Sequence, residues 1–175
     1  MSPTITEGYL PGCIGRIAQL HAGYYAPRHR FGVAFEARVA RELADFCLAC
    51  VPGRDGLWLA QEQGEHIVGS IAIDGSRVAQ DGQAHLRWFI TADSIRGTGV
   101  GKRLLQAALG FCDACGYPSV YLWTFAGLDA ARHLYESCGF RLVQESEGTQ
   151  WGTAVTEQRF VRACPAVAAA HAARR

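Results

Sequence analysis

Arg96-Gly97-Thr98-Gly99-Val100-Gly101-Lys102 gathers the residue types that bind phosphate, with glycines at alternate positions and a cation at each end. Glycine lets a backbone approach a ligand closely. A helix starting directly behind such a turn aims unpaired N–H groups and the positive end of its dipole at an anion. Arg96 adds a fork-shaped cation and Lys102 a mobile one. Two familiar phosphate loops do not fit this spacing. A Walker loop counted from Gly97 would put its second glycine at Lys102, and Arg103 is no hydroxyl. A dinucleotide fingerprint needs Gly-x-Gly-x-x-Gly in the first strand-turn-helix unit, whereas this turn reads Gly-x-Gly-x-Gly and lies past mid-chain.

The elements around the turn have the right character to position it. An apolar run, Leu86 to Ile90, precedes it, and Val100 to Cys115 follows with helical periodicity. Downstream stands a second motif, Leu128-Asp129-Ala130-Ala131-Arg132-His133-Leu134-Tyr135-Glu136-Ser137-Cys138-Gly139-Phe140. Together the two resemble the signatures of the GNAT superfamily of acyl-CoA-dependent N-acyltransferases. The resemblance runs from about Gly8 to Arg162 and is nearest to the acetyltransferase portion of proteins that fuse a MarR-type regulator to a GNAT domain. No regulator is expected in this chain.

That resemblance implies an N-acetyltransferase that passes acetyl from acetyl-CoA to a primary amine by direct attack in a ternary complex. The N–H groups of Gly97, Thr98, Gly99, Val100, Gly101 and Lys102 would hold the pyrophosphate, supported by Arg96 and the Lys102 side chain. The pantetheine arm would lie beside Phe89, Ile90 and Thr91 in a gap opened by a bulge, with an N–H of Ile90 or Thr91 facing the oxyanion. Tyr135 matches the family's proton donor to the departing thiolate. An attacking alkylamine must shed a proton held to pH ~10.4, so a base is needed. Where many relatives carry glutamate this chain has His85, an imidazole that ordinarily titrates near pH ~6.5. Leu128 replaces an asparagine that contacts the arm, and Ala131 keeps the small residue beside it. The alternatives are a non-catalytic acyl-CoA sensor and an acyltransferase using another acyl-CoA.

The remaining elements follow from pattern. Cys13 to Ile17 reads as a first strand, and Ala18 to Ala26 as a helix broken at Pro27. Val33 to Cys50 reads as a helix with Phe35, Val39, Leu43 and Phe46 on its apolar face. Leu57 to Gln61 and His66 to Ile73 form a hairpin about Gln63-Gly64-Glu65, and a polar loop runs from Asp74 to Gln83. Strands are expected at His85 to Thr91, Val120 to Phe125, Phe140 to Val143 and Trp151 to Val161, with a helix from Leu128 to Cys138 closed by Gly139. This order fits an α/β (α+β) fold, a mixed, mostly antiparallel sheet with helices on both faces. In the family, the early helical pair borders the acceptor, which makes Tyr24, Tyr25, His29 and Phe31 candidate contacts. Glu36, Glu62, Glu65 and Glu157 are acidic residues able to attract a cationic acceptor, and the sequence places none of them in the pocket.

With 175 residues, 49% hydrophobic and 19% charged, the chain suits one soluble domain, residues 1–162, with an alanine-rich, disordered tail over 163–175. A net charge of +1 gives no reason to expect nucleic acid or membrane. The N-terminus lacks a secretion signal, so the cytoplasm is expected, with reduced cysteines. Cys47-x-x-Cys50 and Cys112-x-x-Cys115 sit at helical i, i+3 spacing, which favours buried thiols over a metal. Homodimers are common in the family, and one is expected here.

Overall fold

The computed structural model describes residues 2–62 and 66–165. Its elements are β1 (Thr4–Glu7), α1 (Cys13–His29), α2 (Val33–Ala49), β2 (Gly56–Glu62), β3 (His66–Asp74), α3 (Val78–Asp81), β4 (Gln83–Thr91), α4 (Val100–Ala114), β5 (Ser119–Phe125), α5 (Asp129–Ser137), β6 (Arg141–Gly148) and β7 (Val155–Ala163). They build one seven-stranded sheet in the order β1-β2-β3-β4-β5-β7-β6. Every neighbouring pair is antiparallel except β4 and β5.

The expectation of a strand at Cys13 to Ile17 is wrong. Those residues open α1, since Cys13, Ile17, Ala18 and His21 recur at helical spacing and are the ones buried. Gly12, at φ 85°, makes the entry bend, which a Cβ would oppose. The true first strand, Thr4–Glu7, is a short edge strand and carries only one aliphatic side chain, Ile5. Pro27 also fails to break α1. It sits in the last turn, where the one backbone bond it forgoes is near the frayed end. The polar loop contains the short α3, and the final strand starts at Val155 rather than Trp151. The hairpin turn at 63–65 and the tail at 166–175 lie outside the described residues.

Two apolar layers sandwich the sheet. On one face Val100, Leu104, Leu105, Ala108 and Cys112 of α4 pack against Ile71, Ile73, Ala84, Leu86, Val120 and Leu122. On the other, Phe35, Val39, Leu43 and Phe46 of α2 join Ile17 of α1 over Leu57, Leu59, Ala72 and Trp88. Two glycine caps end the helices beside the site. After α5, Gly139 at φ 91° lets Phe140 N–H donate to the Tyr135 carbonyl at 3.1 Å, and Gly116 at φ 69° does the same for α4.

His21 lies inside the α1–α2 layer at 6% exposure, its Nδ1 2.9 Å from the Ile17 carbonyl, to which it donates as the neutral ring. Burial pushes its pKa down from 6.5 to about 4. Below pH 6.5 the unfolded chain therefore takes up a proton that the native state refuses. Stability should fall between pH 6.5 and about 4, by up to ~1.4 kcal/mol per pH unit for this group. Urea unfolding of wild type and His21→Gln across that range measures it. Equal slopes in the two proteins would show that His21 does not carry the effect.

Candidate active site

The sheet parts where the chemistry is expected. β4 and β5 pair only over Gln83–His85 and Ser119–Tyr121, so the later β4 groups facing β5 have no strand opposite. The cause lies on the other side of β4, where a single residue, Ile71, faces the pair Trp88 and Phe89. That extra residue is a β-bulge, and Trp88 carries it at φ 47°, rare for a bulky side chain. Ser70 Oγ–H donates to the Trp88 carbonyl at 2.7 Å, and the indole is buried against Phe46, ring centroids 5.2 Å apart. The bulge also reverses which face successive side chains take. Arg87 and Trp88 both lie toward α2, while Phe89 turns to α4 and α5.

A cavity of about 750 Å³ fills the parting. Its walls include every one of the expected catalytic and acyl-CoA-binding residues except Thr98 and Val100. At one end is the turn before α4. Gly97 (φ 76°) and Gly99 (φ 83°) hold left-handed conformations that favour glycine. The first turn of α4 closes with Arg103 N–H on the Gly99 carbonyl, which leaves the N–H groups of Val100, Gly101 and Lys102 ahead of the intrahelical ladder. Thr98 points its hydroxyl back to the Ile95 carbonyl at 2.6 Å, so its side chain braces the turn. Arg96 is held by Asp93 at 2.9 Å and lies over the Tyr24 ring at 4.2 Å. Arg28 flanks the same ring at 4.4 Å and also meets Asp93. This clasp ties the end of α1 to the glycine turn. The cradle fits a pyrophosphate: backbone donors at a helix N-terminus, free space over Gly97 and Gly99, and adjacent cations.

Midway along the cavity Tyr135 is buried, with Phe89, Phe140 and Phe160 around its ring at 6.0, 5.9 and 6.3 Å. Burial, and then the Tyr25 phenol, raise its pKa well above the usual 10, so it keeps its proton. A thiolate released in the same desolvated place would also be pushed toward protonation, so burial alone does not widen the mismatch between the two. Leu128 and Ala131 line the cavity beside it, as do Ile90 and Thr91.

Beyond Tyr135 the cavity opens toward α1 and α2. Tyr24, Tyr25 and Phe31 line it as expected, whereas His29 packs edge-on against Phe125 at 4.8 Å behind the wall. Glu36 and Glu62 are exposed, Glu157 accepts the Gln150 N–H at 2.9 Å, and Glu65 falls outside the described residues. None of the described three lines the cavity. Missed in the sequence were Phe35, Arg38, Glu42, Arg87 and Trp123, which do, as does Trp151. For the α2 residues the only advance signal was the helical spacing of Phe35, Arg38, Val39 and Glu42 on one side of the helix.

His85 also lines this end, stacked on Tyr121 with ring centroids 4.3 Å apart. Burial first, then Arg87, Arg159 and Arg38, push its pKa down from 6.5 to about 3. The ring is thus neutral throughout the working range and a weak proton acceptor. The pH profile of kcat/KM should show no inflection near 6.5 from this residue. An inflection there that vanishes in His85→Gln would mean that the ring titrates freely.

Among the described residues no group of three His, Cys, Asp or Glu side chains is placed to hold a metal, and no cysteine lines the cavity. A parted β4–β5 pair, a bulge and a glycine turn capping the next helix define an acyl-CoA-binding transferase architecture. The chain belongs to the acetyltransferase (GNAT) family, whose model matches residues 19–140, and that family takes acetyl-CoA as its acyl donor. It is 32% identical to N-acetylaspartate synthetase of Danio rerio over 127 residues, covering 72% of this chain and 44% of that protein. Against the Homo sapiens N-acetylaspartate synthetase it is 28% identical over 144 residues, covering 82% and 47%. The chain spans about half the length of the curated relatives it matches. A phosphinothricin acetyltransferase from Sinorhizobium meliloti, solved with AcCoA, shares the fold at TM-score 0.70 and 18% identity, over 94% of this chain and 89% of that one. A GNAT acetyltransferase from Staphylococcus aureus Mu50 superposes at TM-score 0.71 and 17% identity, over 91% and 99%.

Proposed function

We propose that this chain catalyses transfer of acetyl from acetyl-CoA to a primary amine by direct attack within a ternary complex. One observation carries the reading: a single cavity runs from the glycine cradle past Tyr135 to a polar end under α2. Donor and acceptor entering from opposite ends would meet at the bulge. No cysteine borders that path among the described residues, which favours direct attack over an acyl-cysteine route.

In this reading the cradle N–H groups and Lys102 hold the pyrophosphate, and the unpaired edge of Phe89 to Thr91 takes the pantetheine amides. An N–H of that edge faces the developing oxyanion. The cationic surroundings of His85 disfavour an ammonium nearby, so they help present the acceptor as free amine. After attack the nitrogen is positively charged and far more acidic than an alkylammonium, and neutral His85, which lines this end of the cavity, relays its proton. Tyr135 donates to the departing thiolate. The names of the curated relatives support a small amino acid as acceptor.

The same reading takes the protein as cytoplasmic, a homodimer through the exposed edge strand β6, and without nucleic-acid or membrane partners. Among the described residues no helix is long and apolar enough to cross a membrane. The nearness to the acetyltransferase portion of MarR-type fusions belongs to this reading for the catalytic part alone. Calorimetric titration with acetyl-CoA, followed by a free-CoA assay over an amine panel, tests the proposal. Saturable binding with amine-dependent CoA release is the expected result. Binding with no release for any amine would favour an acyl-CoA sensor, and release only with another acyl-CoA would change the donor.

A further inference from the structure

At the α2 end of the cavity three guanidiniums converge from elements far apart in the chain: Arg38 of α2, Arg87 of β4 and Arg159 of β7 all act on His85. Arg38 and Arg87 line the cavity itself. The carboxylate between them is Glu42, and both its oxygens are taken. Arg38 Nε–H donates to Oε1 at 2.8 Å, and Arg87 Nη2–H donates to Oε2. Arg38 is further fixed by donating to the Gln150 carbonyl, and Arg87 by lying over the Trp88 ring at 4.1 Å. Asp74 Oδ2 stands 3.8 Å from Arg87 Nη1, outside the cavity lining. Arg159 donates to Gln83 Oε1 and covers Tyr121 at 4.7 Å, and it makes no carboxylate pair among the described residues.

A guanidinium has only donors to offer, and most of those on Arg38 and Arg87 remain unspent after these bonds. The one carboxylate lining this end, Glu42, already faces both guanidiniums, and its single charge cannot balance the two. A ligand that completes the arrangement must therefore bring acceptors and negative charge, the bidentate match of guanidinium to carboxylate. A polyamine would bring a like charge to within reach of fixed cations, which repel it.

We infer that the acceptor is a small amine bearing an acid group set away from the reacting nitrogen, and that Arg38 and Arg87, bridged by Glu42, are the residues that select it. This rests on the acetyltransferase reading above. The arginines act on the distal acid, while the amine reaches past His85 toward the bulge. Discrimination between an acid and its amide then resides in KM, because the contact exists before and during the transfer.

The test is CoA release from acetyl-CoA with L-aspartate, L-glutamate, their amides L-asparagine and L-glutamine, and putrescine. Wild-type kcat/KM should favour each acid over its amide by about tenfold or more, with putrescine poorest. Arg38→Gln and Arg87→Gln should bring that ratio close to one through KM, and Arg38→Lys should restore part of it. Titration of each variant with acetyl-CoA reports that the fold and donor site are intact. A wild type that prefers the amides or the diamine, or uses none of the five, overturns the acceptor assignment. So do the two glutamine variants if, bound to acetyl-CoA as tightly as wild type, they keep the wild-type ratio. Failure of the wild type to bind acetyl-CoA removes the acetyltransferase reading, and this inference with it.

Discussion

Replacing Tyr135 by phenylalanine is expected to lower kcat about a hundredfold while leaving the Kd for acetyl-CoA within about twofold. The ring's surroundings make the substitution clean. Phe89, Phe140 and Phe160 pack about the tyrosine, the residue is 7% exposed, and its hydroxyl makes no side-chain hydrogen bond among the described residues. Phenylalanine keeps that packing and removes only the proton that the leaving thiolate would take. If the hydroxyl acts on the departing group as proposed, its loss should fall on kcat and kcat/KM together. Steady-state kinetics beside an acetyl-CoA titration separates the two quantities. Unchanged kcat would reduce Tyr135 to a packing residue, and Tyr25, which also lines the cavity, would become the donor to examine.

The second large effect is expected at Gly101. Its backbone is ordinary helix, so a side chain there meets no conformational barrier. A Cβ would touch Phe89 Cζ at 3.6 Å, Thr91 Cγ2 at 3.8 Å and Leu134 Cδ2 at 3.9 Å, all of them cavity-lining residues. Alanine makes only ordinary contacts and should cost little. Glutamate at the same place drives a chain and a negative charge into the path of the pantetheine arm and the pyrophosphate. A carboxylate in the first turn of α4 favours the helix itself, so Gly101→Glu should fold. Acetyl-CoA binding should weaken at least about a hundredfold, equivalent to ~2.7 kcal/mol, read by calorimetry with circular dichroism as the folding control. Wild-type affinity in this variant would mean that the cradle does not hold the donor.

The glycine turn, α4 and the α5 motif were legible in the sequence because each is a local matter. A glycine demanded by a left-handed turn, a stripe repeating at helical spacing and a glycine cap all act within a few residues. The same locality misled at Cys13 to Ile17, where five apolar-rich residues satisfy a strand and a helix about equally well and burial by α2 decides between them.

What only the tertiary structure decided depends on residues distant in sequence. The bulge at Trp88 is a mismatch of register between β3 and β4, and one extra residue there reassigns the faces of everything after it in the strand. The parting of β4 from β5 follows from that bulge, beyond which the two strands no longer pair. Sequence alone could name His85 but not the arginines that keep it neutral, since Arg38, Arg87 and Arg159 meet only when α2 is laid across the sheet. The phosphate end of the site is thus written in one short stretch of chain. Its acceptor end is assembled from three separate elements, because side chains that read a small ligand must converge on it from several sides.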